Sequence, residues 1–384
     1  MKLNENILVP LYYQLKQIIK EKILSGEWKV NERIPSESEL CDEYRISRET
    51  VRHAIMELVR EGMLHRKQGK GTFVKNPEES QKAGNVRGKA IGLVIPYMRQ
   101  GGPEIVSGVE NMVHSRGYHL NLSNTNSSLT EEKSRIEWLI ESGIKGLVIY
   151  TLQHKDDYEI LVKMKETHFP FVLVDRYVRE FESDYVVSDN FKGSYEATKH
   201  LINLGHKRIA FISNPALSYI TSVGDRFLGY KKALEEYNIN FDPRLVFICQ
   251  SKIGVKYPKL GENTNFTEVK RNIAQTLLSL PHPPTAAFVI HDFLALELYK
   301  HCKQIGLKVG KDLAIVSFDD TEIATHLAVP LTSVRQSFYD MGEIAAKTLI
   351  DKIEGRDNKV KKVILPVKLM VRQSCGTKKK LKLS

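Results

Sequence analysis

Arg48 and Arg52 stand four residues apart in this sequence. On a helix that spacing projects both guanidinium groups from neighbouring turns of one face. Two planar forks of donors placed there can grip phosphate oxygens and the acceptor edge of guanine. A second basic run follows, with His65, Arg66, Lys67 and Lys70 and no acid between them; Gly69 and Gly71 flank its last lysine. A thin glycine-tipped hairpin can enter a groove that a bulkier turn cannot. A solvated basic face on a small helical core would show the first pattern equally well. Helix and basic wing together arise by chance far less often than either alone.

A different set of polar residues closes short β-rich runs further on. These are Asp175-Arg176, Ser188-Asp189, His291-Asp292 and Asp319-Asp320. In open α/β sheets ligands sit beyond the carboxyl ends of strands. Carboxylates there accept hydrogen bonds from sugar hydroxyls, and arginine donates to hydroxyl or ring oxygens. Tyr97, at the end of the first run, suits either stacking on a sugar face or ordinary packing. Capping is the competing role: Asp189 precedes a helical pattern over 190–205, and Asp292 one over 293–305.

The elements that position these residues follow from periodicity. Leu11, Leu15, Ile18, Ile19 and Ile23 predict a first helix from about Pro10 to Ser25, with Gly26 as its stop. Ser36 and Glu39 form a capping box that starts a second helix, ending near Tyr44. After a tight turn at Arg45-Ile46, Ser47 caps a third helix, and Val51, Ala54, Ile55 and Leu58 form its apolar stripe. Residues 63–67 and 72–74 then read as a hairpin. The segment 76–88 has linker composition. From residue 90, apolar runs at 90–96, 118–125, 146–151 and 170–176, then 207–213, 245–250, 285–292 and 313–320, alternate with helical patterns. That alternation predicts two doubly wound lobes with mainly parallel sheets.

Composition narrows the function class. Residues 1–75 hold 14 Lys/Arg against 11 Asp/Glu, a net of +3, so bulk charge permits nucleic-acid binding without demanding it. The tail 376–384 adds four lysines and no acid. No apolar run approaches the roughly 20 residues of a membrane span, and the first ten residues lack a signal peptide's unbroken apolar stretch. The expected location is the cytosol, with no membrane partner. Four scattered cysteines without a CxxC pair read as free thiols. There is no HExxH and no GxSxG; GNVRGK (84–89) is one residue short of a P-loop and precedes a strand. Neither a metal, nor a cofactor, nor catalysis is expected.

The run PLYYQLKQIIKEKILSGEW…RIPSESELCDEYRISRETVRHAIMELVREGMLHRKQGKGTFV (10–74) closely resembles the GntR-family winged helix-turn-helix. That resemblance implies that Ser47, Arg48, Thr50 and Arg52 contact DNA in the major groove. It also implies that the tip, Gln68-Gly69-Lys70, approaches the minor groove, and Lys67 on the basic arm is a further expected DNA contact. Segments 188–213, 225–234, 284–296, 313–336 and 341–351 resemble the LacI-family effector domain, itself similar to periplasmic sugar-binding proteins. This likeness implies ligand contacts from Arg226, Asp319 and Asp292. His291 stands where that family usually carries Asn, and 251–266 looks like an insertion. Reader plus sensor is the arrangement of the arabinose-repressor subfamily.

The resulting expectation has four parts: a winged helix-turn-helix at 1–75, a linker at 76–89, an α/β effector-binding and dimerisation domain of the type I periplasmic-binding-protein fold at 90–374, and a basic disordered tail at 375–384. Its partners would be a near-palindromic double-stranded DNA operator, a second copy of the chain, and a small sugar, arabinose or another pentose. Tyr97, Asp175, Arg226, Asp292 and Asp319 are the expected effector-binding residues. Two other readings stay open at this point. One is a solute-binding protein with a scaffold-like N-terminal domain. The other is a sugar-active enzyme that uses Asp319 and Asp292 as paired acids.

Overall fold

The computed structural model describes residues 11–60, 63–67, 71–75, 89–152, 157–179, 182–214, 220–249, 266–269 and 272–376. The wing tip Gln68-Gly69-Lys70, the linker 76–88, the insertion 251–265 and the tail 377–384 lie outside the described residues. The chain divides into two compact units, Met1–Gly88 and Lys89–Ser384.

The first unit packs α1 (Leu11–Leu24), α2 (Glu37–Tyr44) and α3 (Arg48–Arg60) against a hairpin of β1 (Leu64–Lys67) and β2 (Gly71–Val74). Leu15, Ile19, Leu40, Val51, Ala54, Ile55 and Leu58 meet Leu64 and Val74 in one buried cluster. The capping box at Ser36 and Glu39 is present in both directions. Arg45 adopts a left-handed backbone (φ 53, ψ 44), which ends α2 and lets α3 start three residues later, at Arg48. The hairpin pairs Leu64 with Val74 and Lys67 with Gly71. A feature absent from the periodicity reading is a third strand-like segment. Ile34 N donates to Thr72 O (3.0 Å) and Val74 N to Glu32 O (2.9 Å), so the wing is braced on its outer edge.

The second unit contains two sheets. The first has the order β14-β7-β6-β5-β3-β4, all parallel. Its strands are β3 (Ala90–Ile95), β4 (His119–Asn124), β5 (Leu147–Ile149), β6 (Phe171–Val174), β7 (Tyr185–Ser188) and β14 (Lys362–Leu365). The second has the order β10-β9-β8-β11-β12-β13-β15, with only the last pair antiparallel. It comprises β8 (Ile209–Ser213), β9 (Val246–Cys249), β10 (Thr267–Val269), β11 (Ala286–Val289), β12 (Ala314–Asp319), β13 (Thr332–Arg335) and β15 (Lys368–Met370). The helices, in chain order, are α4 (Gly102–Ser115), α5 (Leu129–Glu141), α6 (Asp157–Glu166), α7 (Asn190–Asn203), α8 (Thr221–Glu236), α9 (Ile273–Leu278), α10 (Asp292–Gln304), α11 (Ile323–His326) and α12 (Phe338–Ile353).

The two lobes are not two successive stretches of chain. After β13 the chain returns to the first lobe: α12 packs along α4, and β14 joins the first sheet beside β7. It then crosses back as β15. Close helix packing makes the return fit, because a Cβ on Gly342 would lie 2.2 Å from Ile105 O on α4. The tail boundary also moves, since Cys375 is buried in the second lobe's core. None of the described helices is long and apolar enough to cross a membrane.

Candidate functional site

In the first unit, Ser47 sits at the start of α3. Thr50 N donates to its Oγ at 3.2 Å, and the two hydroxyls are 2.7 Å apart. Both residues therefore serve the helix start while standing at its accessible end. Arg48 and Arg52 are exposed on the same helix, opposite the buried stripe. Glu37 on α2 links helix to wing. Its carboxylate accepts from Arg66 Nη2 on β1 at 2.7 Å and lies 3.6 Å from Arg48 Nε. Arg48 remains 80% exposed despite this contact, so its guanidinium stays available to a second anion. Lys67 ends β1 with its ammonium 5.2 Å from the Phe73 ring centroid, its stem laid over the wing. Helix α3 and the hairpin thus present Arg48, Arg52, Arg66 and Lys67 to solvent.

In the second unit, the ends of strands from both sheets meet at a cavity of about 330 Å³. That lies at the small end of the roughly 300–1,000 Å³ common for ligand sites and suits a monosaccharide-sized guest. The structure brings Tyr97, Asp175, Arg226 and Asp319 together on its wall. Their placement follows from topology. Tyr97 follows β3, and His291 follows β11; each of these strands has neighbours that lead the chain away in opposite directions. Asp175 (φ 64) and Asp319 (φ 108) turn out of their strands in backbone conformations that L-residues rarely adopt. Such strain gathers at ligand sites, held by the surrounding structure.

Arg226 is fixed from several directions. Nε donates to Asn190 Oδ1 at 2.8 Å and Nη1 to Ile290 O at 2.5 Å. Its guanidinium covers the Phe318 ring at 3.8 Å and lies 3.6 Å from Asp319. Burial pushes the Asp319 carboxyl well above the usual carboxylate range against the pull of Arg226, with Asp292 and Asp175 adding to the rise. Gln336 Nε2 donates to Asp319 at 2.8 Å. Across the cavity, Arg176 donates to Asp175 (3.3 Å), Thr151 O (3.0 Å) and the Tyr97 hydroxyl (3.3 Å). The Tyr97 and Tyr150 hydroxyls are 2.9 Å apart, and burial raises both.

Asp292 is the correction. It is fully buried and does not line the cavity. One carboxylate oxygen accepts from the Ser317 and Ser333 hydroxyls, and the other accepts from Thr321 N (2.7 Å) and Thr321 Oγ1 (2.9 Å). Both oxygens are committed to tying α10 to the ends of β12 and β13. Nor does Asp292 cap α10. That role falls to His291, whose Nδ1 accepts from Leu294 N at 3.1 Å. Asp189 does cap α7, through Lys192 N at 2.9 Å, and Asp320 is held by Arg335 and Arg372 instead of the ligand space. The paired-acid arrangement that an enzyme reading needed is therefore not assembled.

His291, Gln100, Arg99 and Arg176 line the cavity without having been on the expected list. His291 carried a signal, its departure from the usual Asn. Because Nδ1 accepts the backbone proton, the ring proton sits on Nε2. Gln100 Nε2 donates to the same Nδ1 at 3.0 Å, bridging the two lobes. Burial, then Arg226, Arg99 and Arg176, push the imidazole down to about 3. A lowered folded-state value favours the neutral ring. The resulting stability is present above the unfolded value near 6.5 and is lost as pH falls toward about 3. His291→Asn should therefore lose less stability than the parent between pH 7 and pH 5, by about 2 kcal/mol at most. Denaturant unfolding at the two pH values measures this, and equal losses would contradict it.

Residues 11–74 match the family described as bacterial regulatory proteins, gntR family, and residues 198–375 match the periplasmic binding protein-like domain. The arabinose metabolism transcriptional repressor of Geobacillus stearothermophilus is 34% identical, covering 95% of this chain and 98% of that protein. The protein of the same description from Halalkalibacterium halodurans is 30% identical over 96% of this chain and 97% of its own length. Among solved structures, the transcription regulator CcpA of Lactococcus lactis aligns with a TM-score of 0.64 and 26% identity, covering 74% of this chain and 98% of that one.

Proposed function

Because this chain belongs to the arabinose-repressor family, in which a GntR-type reader is fused to a periplasmic-binding-protein-like sensor, we propose that a sugar in the 330 Å³ cavity loosens its grip on an operator. It is a DNA-binding transcriptional repressor modulated by a sugar-type effector. Arabinose or another pentose is the candidate that the relatives' description brings to this chain. The supporting observation is the joint arrangement of Arg226 and Asp319, a guanidinium and a carboxyl side by side in a small cavity.

In this reading Ser47, Arg48, Thr50 and Arg52 meet the major groove, and Lys67 with the wing tip meets the minor groove. A homodimer presents two readers to the half-sites of a near-palindromic operator. The protein acts in the cytosol as a regulator and turns nothing over. Tyr97, Asp175, Arg226 and Asp319 hold the effector, while Asp292 supports the wall behind them. Footprinting of the operator at increasing salt and increasing sugar tests both halves. Affinity should fall steeply with salt, and one small sugar should clear the footprint. A solute-binding protein with an inert N-terminal domain would bind the sugar and give no footprint.

A further inference from the structure

The two lobes of the sensor meet at a second place, just outside the cavity wall. The segment Asp175-Arg176-Tyr177-Val178-Arg179 belongs to the first lobe, because β6 and β7 on either side of it lie in the first sheet. Helix α8 belongs to the second lobe, packed along α7 and onto β8. Each element gives part of itself to the cavity: Asp175 and Arg176 from the segment, Ser222 and Arg226 from the helix. Beside that wall the same two elements pair directly. Tyr177 N donates to Thr221 Oγ1 at 3.2 Å. The Tyr177 hydroxyl donates to Asp225 Oδ2 at 3.4 Å, and Arg179 Nη2 donates to Asp225 Oδ1 at 2.6 Å.

Both sides of this pairing are firmly mounted. Thr221 and Asp225 are four apart on α8, so they share one face and move as one body. Tyr177 is anchored to its own lobe by stacking on Tyr185 of β7, with ring centroids 4.7 Å apart and planes 24° apart. Each oxygen of Asp225 thus takes a donor from the opposite lobe. The Asp225 side chain is 22% exposed and that of Arg179 53%, so salt reaches the pair from outside. Two-lobed folds close about hinges between discrete arrangements, and a contact present in only one arrangement biases the balance toward it. Parting the lobes here breaks all three hydrogen bonds together. It also draws Arg226, the residue after Asp225, away from Arg176 across the cavity.

We propose that Asp225 and Thr221, gripping Arg179 and Tyr177, form an interlobe latch that holds the sensor closed and sets how long its effector stays. Asp225 is a positioning residue, acting through closure and not through contact with the sugar. The proposal rests on the sugar-sensor reading above for what the latch encloses. Asp225→Asn keeps the side chain's shape and removes its charge. Hydrogen exchange on the full chain reads the latch without any sugar. The Tyr177 amide should exchange roughly fivefold faster in the variant, with the amides of β6 at the parent's rate. With arabinose as the probe, calorimetry and stopped-flow mixing should show affinity lowered roughly fivefold, carried by faster dissociation. Raising sodium chloride from about 0.1 to 1 M should weaken the parent's hold on this uncharged sugar and leave Asp225→Asn nearly unmoved. Adding Arg179→Gln to Asp225→Asn should cost nothing further. Parent-like exchange at Tyr177, parent-like arabinose dissociation, or β6 amides that speed up equally would overturn the latch and leave the sugar reading intact. Failure of arabinose to bind the parent would count against the sugar reading alone, with the exchange rates still deciding the latch.

Discussion

Arg226→Met is expected to give a repressor that its effector cannot release, with effector affinity lowered about 100-fold or more. Methionine keeps the apolar stem over Phe318 but removes every donor. Arg226 is 5% exposed, and its Nε and Nη1 are spent on Asn190 and Ile290 O. Its Nη2 has no hydrogen bond among the described residues and is the group left to meet a ligand. A hydrogen bond to a charged group contributes about 1.5–3 kcal/mol, so losing one or two of them reaches about 100-fold. The variant also leaves Asp319 without its cation, driving that carboxyl further toward the neutral form. Effector calorimetry beside a thermal melt separates lost binding from lost folding. A folded variant with the parent's effector affinity would remove Arg226 from the site.

The second large effect lies in the reader. Arg52→Ala should weaken operator binding by about 1–3 kcal/mol, roughly 5- to 150-fold, and blunt discrimination at one base pair. Arg52 is exposed on α3 above the stripe of Val51, Ala54, Ile55 and Leu58. Its loss should not disturb the core. Arg48 differs because it already leans on Glu37 at 3.6 Å. Anisotropy titrations against the operator and single-base variants read the difference. Uniform weakening would assign Arg52 to phosphate, and unchanged affinity would take it out of the interface.

Local signals were the legible ones. The capping box at Ser36, the cap at Ser47 and the stripe on α3 depend on neighbours within a few residues, and all stand in the structure. Asp175 and Asp319 stand at strand ends that sequence marks, Arg226 comes only from family resemblance, and all three line the cavity. Asp292 was misplaced because its partners, Ser317, Thr321 and Ser333, come from 25 or more residues downstream. Sequence gives the acid and its strand end but not which groups fold over it. The returns of α12 and β14 to the first lobe were hidden for the same reason, since they are set by long-range pairing with α4 and β7. Arg99 and Gln100 lie in a loop with no periodicity to mark them.

Effector and DNA must bias one equilibrium for a repressor of this kind to work. A roughly 100-fold loss of operator affinity corresponds to about 2.7 kcal/mol of coupling, within the usual range for allostery. Anisotropy of labelled operator with the full chain, at saturating effector and without it, measures that coupling directly. The expected result is a dissociation constant raised about 100-fold when the cavity is filled. Identical operator affinity with the cavity empty and with calorimetrically verified full occupancy would contradict the account.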